Sequence, residues 1–262
     1  EEETEDSYLK YADAKPLHMP SRYSYQLPGM DPKCGPVHRE TFVYPVDDLL
    51  AAARKYGVSI TAFLSAVMAD FIMELQHRCG QKKRFPVRIM VPIDLRKTFP
   101  SKTLRNFILY ALPTMEISEY GCGIQQLARK FSGQIKEHLA KENLGGIIAY
   151  NVKTQNMTLF KILPSRLKCG LMRLAYRFFG ESNSSLTMTN LGNMALPEVM
   201  IPYVESIILT MMPRMRSPYN CGMYSYNGDF YINLCRFPQQ SQLEEIFARK
   251  LREAMDREDR NL

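Results

Sequence analysis

A long apolar helix pattern near the start of the chain is the feature that most restricts its fold. In "SITAFLSAVMADFIMELQHRCG", residues 59–80, apolar side chains recur at helical spacing over a broad stripe. The stripe consists of Phe63, Leu64, Val67, Met68, Phe71, Ile72 and Leu75. A helix with so wide an apolar surface is stable only when it is buried. With 262 residues and a hydrophobic content of 45%, the chain can build the core that this helix needs.

Segments typical of β-strands lie on both sides of this helix. "HRETFVYP" precedes it, and "FPVRIMVPIDL" and "FILYALPTMEI" follow it on either side of the loop "RKTFPSKTLRN". Three or four more strands are predicted in "SLTMTN", "YVESIILTMMP", "NCGMYSYN" and "DFYINLCRF". Asn227 and Gly228 form a tight turn between the last two, because this pair readily accepts a positive φ.

Four further helices complete the predicted pattern. "VDDLLAAARKYG" predicts a helix capped near Asp47 and closed by Gly57. Residues 121–142 and a basic segment from about Pro164 to Phe179 predict amphipathic helices, and a last helix covers about 241–256. Helices between strands, followed by a hairpin, predict an α+β fold in which helices cover a mixed β-sheet.

The first 36 residues differ in composition from the rest of the chain. Residues 1–36 are acidic and then rich in Pro, Tyr and Gly, without sustained periodicity, which predicts an irregular linker before a folded unit over 37–262. The chain opens on Glu1 without an initiator Met, so we expect that further sequence precedes it.

The charge of the chain restricts its partners only loosely. The formal net charge is +7, and "EEETED" at the start contains five acids and no base, so the remainder is more basic still. A basic surface suits nucleic acid, an anionic membrane or a phosphorylated ligand, and it can also serve solubility alone. No RNP-type, C2H2 or helix-turn-helix signature is found, so we do not predict nucleic-acid binding.

No complete catalytic centre is visible in the sequence. His18, His38, His77 and His138 each lack a second His or a carboxylate at a suitable spacing, and the six cysteines form no zinc pattern, so no metal site is predicted. GxSxG, GxxxxGK and GxGxxG motifs are absent. The acidic start is unlike a secretory signal and the apolar runs are too short to span a bilayer, which favours a cytoplasmic location.

Two segments nevertheless place polar residues at the ends of apolar strands. "VPIDLRKTFPSKTLRNFILYALP" carries Asp94, Arg96 and Asn106, and "SLTMTNLGNMALP" carries Asn190 and Gly192. Polar groups at such positions either satisfy nearby backbone or point into a cleft. We interpret Asp94 and Arg96 as a structural ion pair that holds the loop.

Four stretches in a fixed order carry a family resemblance. "YGVSITAFLSAVMADFI", "VPIDLRKTFPSKTLRNF", "SLTMTNLGNMALP" and "YNGDFYINLCRF" resemble the C-terminal half of the chloramphenicol acetyltransferase-like superfamily. That superfamily includes nonribosomal peptide condensation domains, wax ester synthases and alcohol acetyltransferases, and the likeness is greatest to bacterial proteins of the alcohol acetyltransferase and condensation type. The resemblance runs from about Asp6 to the last helix.

The resemblance implies a protein of two similar subdomains with a tunnel between them. Its HHxxxDG motif lies in the N-terminal subdomain, where the second His removes a proton from the hydroxyl or amine that attacks an acyl thioester. This chain contains no HHxxxDG, so we predict a C-terminal subdomain that is inactive alone. The implied co-substrate is acyl-CoA or a phosphopantetheine thioester. The implied partners are the N-terminal subdomain and a small acyl acceptor, and the isolated fragment could form a homodimer through its uncovered apolar face.

The resemblance also suggests which residues line the tunnel. It places Asn190 and Gly192 near the tunnel, and with Asn106 they are the predicted substrate-binding positions. The alternative for Asn190 is a turn cap through its own side chain, with Gly192 only permitting the backbone. For the basic helix, three interpretations stay open: a core-packing helix with a solvated face, contact with the phosphates of coenzyme A or phosphopantetheine, and contact with an anionic membrane.

A function of another class is also compatible with the sequence. The chain could be a binding or scaffolding module that has the same fold without chemistry, and it could attach to membranes peripherally through the basic helix.

Overall fold

The fold is a mixed seven-stranded sheet with helices packed mainly on one face. The computed structural model describes residues 2–20, 22–27, 36–78, 85–157, 164–176, 180–214, 217–237 and 242–256. The strands are β1 (His38–Pro45), β2 (Val87–Asp94), β3 (Ile108–Ala111), β4 (Thr114–Met115), β5 (Leu186–Asn193), β6 (Tyr219–Tyr226) and β7 (Asp229–Arg236). Their order in the sheet is β1-β7-β6-β5-β2-β3, and β4 also pairs with β2. The predicted α+β class is confirmed.

The sheet mixes parallel and antiparallel pairs. β2, β5 and β6 are mutually parallel neighbours, whereas β1–β7, β6–β7 and β2–β3 are antiparallel. The predicted hairpin turn lies between β6 and β7, where φ is 51° at Asn227 and 87° at Gly228. An Asn-Gly pair accepts these angles with little strain, which explains why the sequence signal was clear.

Seven α-helices are described. They are α1 (Ser7–Lys10), α2 (Val46–Lys55), α3 (Ile60–Arg78), α4 (Ile124–Leu139), α5 (Lys141–Gln155), α6 (Ser165–Ala175) and α7 (Gln242–Asp256). α2 begins one residue before the predicted cap at Asp47, after Pro45, which gives no side-chain cap. Gly57 ends this helix region as predicted, with φ at 68°.

α3 is the centre of the main core, as its apolar stripe predicted. Phe63, Leu64, Val67 and Ile72 are fully buried, and the helix is covered by α2, α4, α7 and one face of the sheet. The sheet side chains on this face alternate along each strand, for example Cys221 and Met223 on β6. We call this side of the sheet the helix face and the other side the open face.

Charged side chains join α3 to α7 beside this core. Lys250 pairs with Asp70 and lies 2.8 Å from Glu74, and Arg249 lies 3.3 Å from Glu74. Burial by itself would raise the pKa of Glu74, but its hydrogen bond to Lys250 and the nearby cations outweigh this effect, so its pKa lies below the ordinary value. The same contacts hold the pKa of Lys250 above its ordinary value, although burial acts to lower it.

α5 was not predicted, because it contains the adjacent glycines 145 and 146, which are poor helix formers. The structure explains the pair. A Cβ at Gly146 would lie 2.7 Å from Leu17 Cβ and 3.0 Å from the carbonyl oxygen of Lys15, and the Gly146 carbonyl accepts a 2.9 Å hydrogen bond from Leu17 N. The glycines therefore let the N-terminal segment cross the helix in direct contact.

The N-terminal segment is packed on the fold along most of its described length. It contains a short 3-10 turn at Glu2–Thr4 as well as α1, and it ends with Tyr25 and Leu27 inside the main core. The Arg88 guanidinium, itself buried, donates to Arg22 O at 3.0 Å and also bonds Asn183. Residues 28–35 of the predicted linker lie outside the described residues.

The prediction of a strand in "YVESIILTMMP", residues 203–213, is wrong. Apart from Tyr203, which ends a 3-10 turn at Ile201–Tyr203, this stretch has no regular secondary structure. It crosses the open face of β6 instead of joining the sheet. Leu209 occupies the space above Gly222, and the hydroxyl of Tyr224 donates to the Ile207 carbonyl. We call residues 204–213 the overlying segment. β-branched and apolar residues suit such a covering segment as well as they suit a strand, so composition could not separate the two.

The apolar side of α6 does not pack into the core. Every described side chain from Pro164 to Leu174 is exposed, including Leu167 at 57%, Leu171 at 51% and Leu174 at 56%. The interpretation of this helix as core-packing is therefore wrong for these residues. Residues 177–179 of the predicted basic helix lie outside the described residues.

Candidate functional site

The sheet topology brings all the predicted site residues to one end of the molecule. β2, β5 and β6 are parallel neighbours, so their C-terminal ends lie together, and we call this place the carboxyl end of the sheet. Asp94 ends β2, and Asn190 and Gly192 lie in the last part of β5. Because β3 is antiparallel to β2, with Asp94 opposite Ile108, Asn106 also lies here. Ends of parallel strands are a common place for ligand sites in sheets of this kind.

Asn190 uses both ends of its amide within the protein. Its Nδ2 donates to Thr61 Oγ1 at 3.0 Å, and its Oδ1 accepts from Gly192 N at 2.9 Å. φ at Gly192 is 74°, a value that favours glycine, and the β5–β6 register shifts between Asn190 and Asn193. Asn190 thus closes a local turn and joins the end of β5 to the start of α3. Its role toward a substrate stays a prediction.

Asp94 and Arg96 organise the loop between β2 and β3. Asp94 Oδ1 accepts from Arg96 N at 3.1 Å and from Arg96 Nη1 at 2.9 Å. Arg96 Nη2 also donates to the carbonyls of Thr103 and Arg105 at 2.9 and 2.7 Å. The guanidinium therefore holds the chain just before Asn106, whose side chain is exposed.

Tyr8, which the sequence did not suggest, is part of the same end of the molecule. Its hydroxyl donates to the Ile108 carbonyl at 2.7 Å and accepts from Ile108 N at 3.0 Å, so α1 fixes the start of β3. Burial raises the pKa of Tyr8, so the phenol stays protonated and able to donate at neutral pH. Tyr11 makes a similar bond to the Pro100 carbonyl at 2.5 Å. A Tyr at this spacing in an irregular segment gives no sequence signal of its own.

A cleft of about 280 Å³ is lined in part by Thr61, whose hydroxyl accepts the hydrogen bond from Asn190. Its walls come from three separate parts of the chain: the approach to α3, β2 and the middle of α4. Its apolar lining includes Val91, Phe131 and Ile135, and its polar lining includes Ser59, Thr61, Ser132 and Lys136. A cleft with this lining can hold a small apolar group that carries polar atoms. Sequence reasoning missed it because each wall looks like ordinary core or helix surface.

The open face of the sheet exposes apolar side chains near the same end. Opposite residues of an antiparallel pair share a face, so Pro92 on β2 lies beside Tyr110 on β3. Ile108 is 46% exposed and Tyr110 42%, and Leu191 at the end of β5 is 51% exposed. The overlying segment covers β6 but adds exposed apolar residues of its own, with Ile208 at 63% and Met212 at 72%. Apolar residues exposed over this much of one face are typical of a contact surface.

The four histidines contact other groups of the protein. His38 lies 3.6 Å from Glu40 on β1, His77 stacks on Tyr120, and His138 contacts the Gln134 carbonyl at 2.7 Å. His18 lies against Tyr150 on α5. None is among the residues that line the cleft. The described part of the cleft therefore contains no imidazole that could act as a general base.

The described ranges contain neither a metal cluster nor a membrane-spanning helix. No group of three or more His, Cys, Asp or Glu side chains there is arranged to hold a metal ion. No single described helix combines the length and apolarity needed to cross a membrane, and the one helix pair that passes together, α2 and α3, is bent by 76°.

Comparison with known proteins gives matches in structure only. No protein-family model matches the chain, and no curated protein sequence matches it significantly. The wax ester synthase/diacylglycerol acyltransferase from Marinobacter aquaeolei VT8 superposes with a TM-score of 0.51 at 12% identity, over 95% of this chain and 55% of that one.

Two other solved structures match in the same way. Trichothecene 15-O-acetyltransferase from Fusarium sporotrichioides gives a TM-score of 0.57 at 12% identity, over 95% of this chain and 50% of that one. A nonribosomal peptide synthetase cyclization-docking bidomain from Sorangium cellulosum gives 0.54 at 15% identity, over 97% and 48%. The chain spans about half the length of these structures. Its fold is therefore the one found in about half of each of these structures, as the sequence resemblance predicted.

Proposed function

We propose that this chain is the C-terminal half of a thioester-dependent acyltransferase and forms one wall of its substrate tunnel. The observation that carries the proposal is the extent of the structural match. Nearly all of this chain superposes on about half of enzymes that are named as acyltransferases, with 95% of this chain covered in each case. A second lobe would supply the other half.

The exposed apolar residues support this arrangement. Ile108, Tyr110 and Leu191 lie on the open face close to the predicted site residues, and the overlying segment continues that apolar surface. We infer that the N-terminal lobe packs against this face, with the carboxyl end of the sheet lying along the tunnel.

The proposed chemistry divides between the two lobes. An imidazole of the HHxxxDG motif in the other lobe takes the proton from a hydroxyl or amine, and the oxygen or nitrogen attacks the thioester carbonyl. The C–S bond then breaks and the thiol of coenzyme A or phosphopantetheine leaves. This chain contributes the cleft lined by Thr61 for an apolar part of one substrate, and it contributes Asn106, Asn190 and Gly192 at the carboxyl end of the sheet.

The test begins with the coding sequence that precedes Glu1. The proposal requires an HHxxxD motif about 100 to 150 residues upstream, the length expected of one subdomain. The longer protein is then assayed for thiol release from acyl-CoA in the presence of alcohols and amines, beside a variant in which the second His is replaced by Ala and beside the 262-residue chain alone.

We expect thiol release from the longer protein, a loss of about 100-fold or more in the His variant, and no release from the 262-residue chain. An upstream lobe whose second His is replaced would instead favour the binding or scaffolding module. Release by the 262-residue chain alone would contradict the proposal.

A further inference from the structure

α6 differs from the other long helices because none of its described side chains is buried. Leu167, Leu171 and Leu174 follow one another at helical spacing, so they form one apolar stripe along the helix. Each is more than half exposed. A helix that held this stripe in water without a partner would expose three leucines for no gain in stability.

The charges around the stripe have a regular arrangement. With about 100° between successive residues, Arg166 and Arg173 lie on one side of the leucines and Lys168 lies on the other. No acidic side chain in the described part of the chain pairs with any of the three. The sequence from 143 to 180 contains no Asp or Glu at all, and its bases are Lys153, Lys161, Arg166, Lys168, Arg173 and Arg177.

We propose that α6 docks the protein on an anionic lipid surface, with the leucine stripe in the boundary between headgroups and acyl chains and the three bases at the lipid phosphates. The proposal concerns attachment and is independent of the proposed acyltransferase function. Amphipathic helices with basic residues beside the apolar face bind membranes in this way.

The length of α6 favours a position in the plane of the membrane. Its 11 residues span roughly 16 Å, about half of the hydrocarbon thickness of a bilayer. The bases flank the stripe on both sides, so they can all reach phosphates while the leucines point inward. A groove on an acidic protein would satisfy the charges equally, but a stripe flanked by cations along both sides matches a flat, uniformly anionic surface better.

The first experiment is co-sedimentation of the 262-residue chain with vesicles of phosphatidylcholine containing about 30% phosphatidylserine, and with vesicles of phosphatidylcholine alone. We expect binding to the anionic vesicles at low salt and much weaker binding at high salt or to neutral vesicles. The variant Arg166→Gln/Lys168→Gln/Arg173→Gln should weaken binding by roughly 100-fold, at about fivefold per base.

Matched variants separate this effect from general charge and hydrophobicity. Lys15→Gln/Arg54→Gln/Arg129→Gln removes three exposed bases elsewhere and should change binding by less than about threefold. Leu167→Ser/Leu171→Ser should weaken binding by at least about tenfold. Leu9→Ser/Leu104→Ser, at leucines that are 56% and 78% exposed, should leave binding unchanged.

A second readout reports the orientation of α6 directly. Because the chain contains no Trp, Leu171→Trp introduces a single indole on the stripe, and Cys169→Trp introduces one on the opposite side. On addition of anionic vesicles, emission should shift to shorter wavelength for Leu171→Trp and stay nearly unchanged for Cys169→Trp.

Three results would overturn the proposal: no sedimentation with anionic vesicles at low salt, sedimentation that the α6 variants do not alter, or equal spectral shifts for both Trp variants. Capture of α6 by an acidic protein without any vesicle binding would also overturn it. Far-UV circular dichroism of each variant verifies that a loss of binding is not a loss of fold.

Discussion

Helices α4 and α6 differ in what covers their apolar sides, although both are amphipathic and basic. In α4, Leu127 and Phe131 are fully buried against α3 and the sheet, whereas in α6 Leu167 and Leu171 are more than half exposed. Amphipathicity in a sequence therefore shows that a helix has an apolar side, but it does not show what covers that side.

The basic side chains of α4 and α6 also differ in whether they form ion pairs. Lys130 of α4 lies 2.6 Å from Glu119, whereas no acid in the described ranges pairs with the bases of α6. A helix that belongs to the core is tied to it by both apolar and charged contacts. Among the described residues, α6 has neither a buried apolar side chain nor an ion pair, which is why we assign its partner to a surface outside the chain.

The largest difference in stability should come from replacing one leucine by alanine in α4 and one in α6. Leu127→Ala removes a buried side chain from the core and should lower the free energy of unfolding by about 3 kcal/mol. Leu171→Ala should change it by less than about 0.5 kcal/mol. Urea unfolding of both variants measures the difference. Equal losses of unfolding free energy would mean that α6 is packed in solution. The difference that we describe between α4 and α6 would then not exist.

A second pair of variants compares charged contacts. Lys250→Met removes the cation between Asp70 and Glu74 and should cost about 2 to 3 kcal/mol, since two carboxylates then remain close together with weaker compensation. Lys168→Met on α6 should be nearly neutral in unfolding experiments.

The contacts of Glu74 with Lys250 and Arg249 also predict how the stability of the protein depends on pH. Because the pKa of Glu74 is lower in the folded state than in the unfolded chain, its contribution to stability is complete above its unfolded pKa and is lost as pH falls through the folded value. Glu74→Gln should therefore make stability less dependent on pH below about pH 4.5, near the ordinary pKa of a glutamic acid. An unchanged acid limb in urea unfolding at several pH values would show that Glu74 is not held in this cluster.

Much of the fold was predictable where local residues decide the structure. The Asn227-Gly228 turn and the stripe of α3 depend on near neighbours in sequence. The sequence did not predict α5, because Gly145 and Gly146 allow a contact with the N-terminal segment, which is distant in sequence. A strand was wrongly predicted for the overlying segment, because strand pairing depends on neighbours in space that the sequence does not show.

The candidate site was predictable only in outline. Asp94, Asn106 and Asn190 were identified as polar residues at strand ends, and the parallel arrangement of β2 and β5 brings them to one end of the sheet. The cleft could not be predicted, because Val58, Val91 and Phe131 come together only through the tertiary fold. The substrate-binding roles, the thioester and the cytoplasmic location stay predictions.

The smallest effect should come from a pair of glycines. Gly146→Ala places a Cβ against Leu17 and the Lys15 carbonyl, so it should destabilise the protein by about 1 to 2 kcal/mol. Gly170→Ala in α6 meets no atom within 4 Å and should be neutral or stabilise the helix by up to about 1 kcal/mol. Thermal unfolding distinguishes them, and a destabilised Gly170→Ala would show that α6 is in close contact with another part of the protein.

Hydrogen–deuterium exchange can show whether a second lobe covers the open face of the sheet, which is the claim that the proposed function rests on. Amides of the 262-residue chain are compared with those of the longer protein that includes the preceding lobe. We predict slower exchange in β3 and in residues 199–213 of the longer protein, with α6 unchanged when no vesicles are present. Equal exchange of β3 and residues 199–213 in the two proteins would contradict the claim.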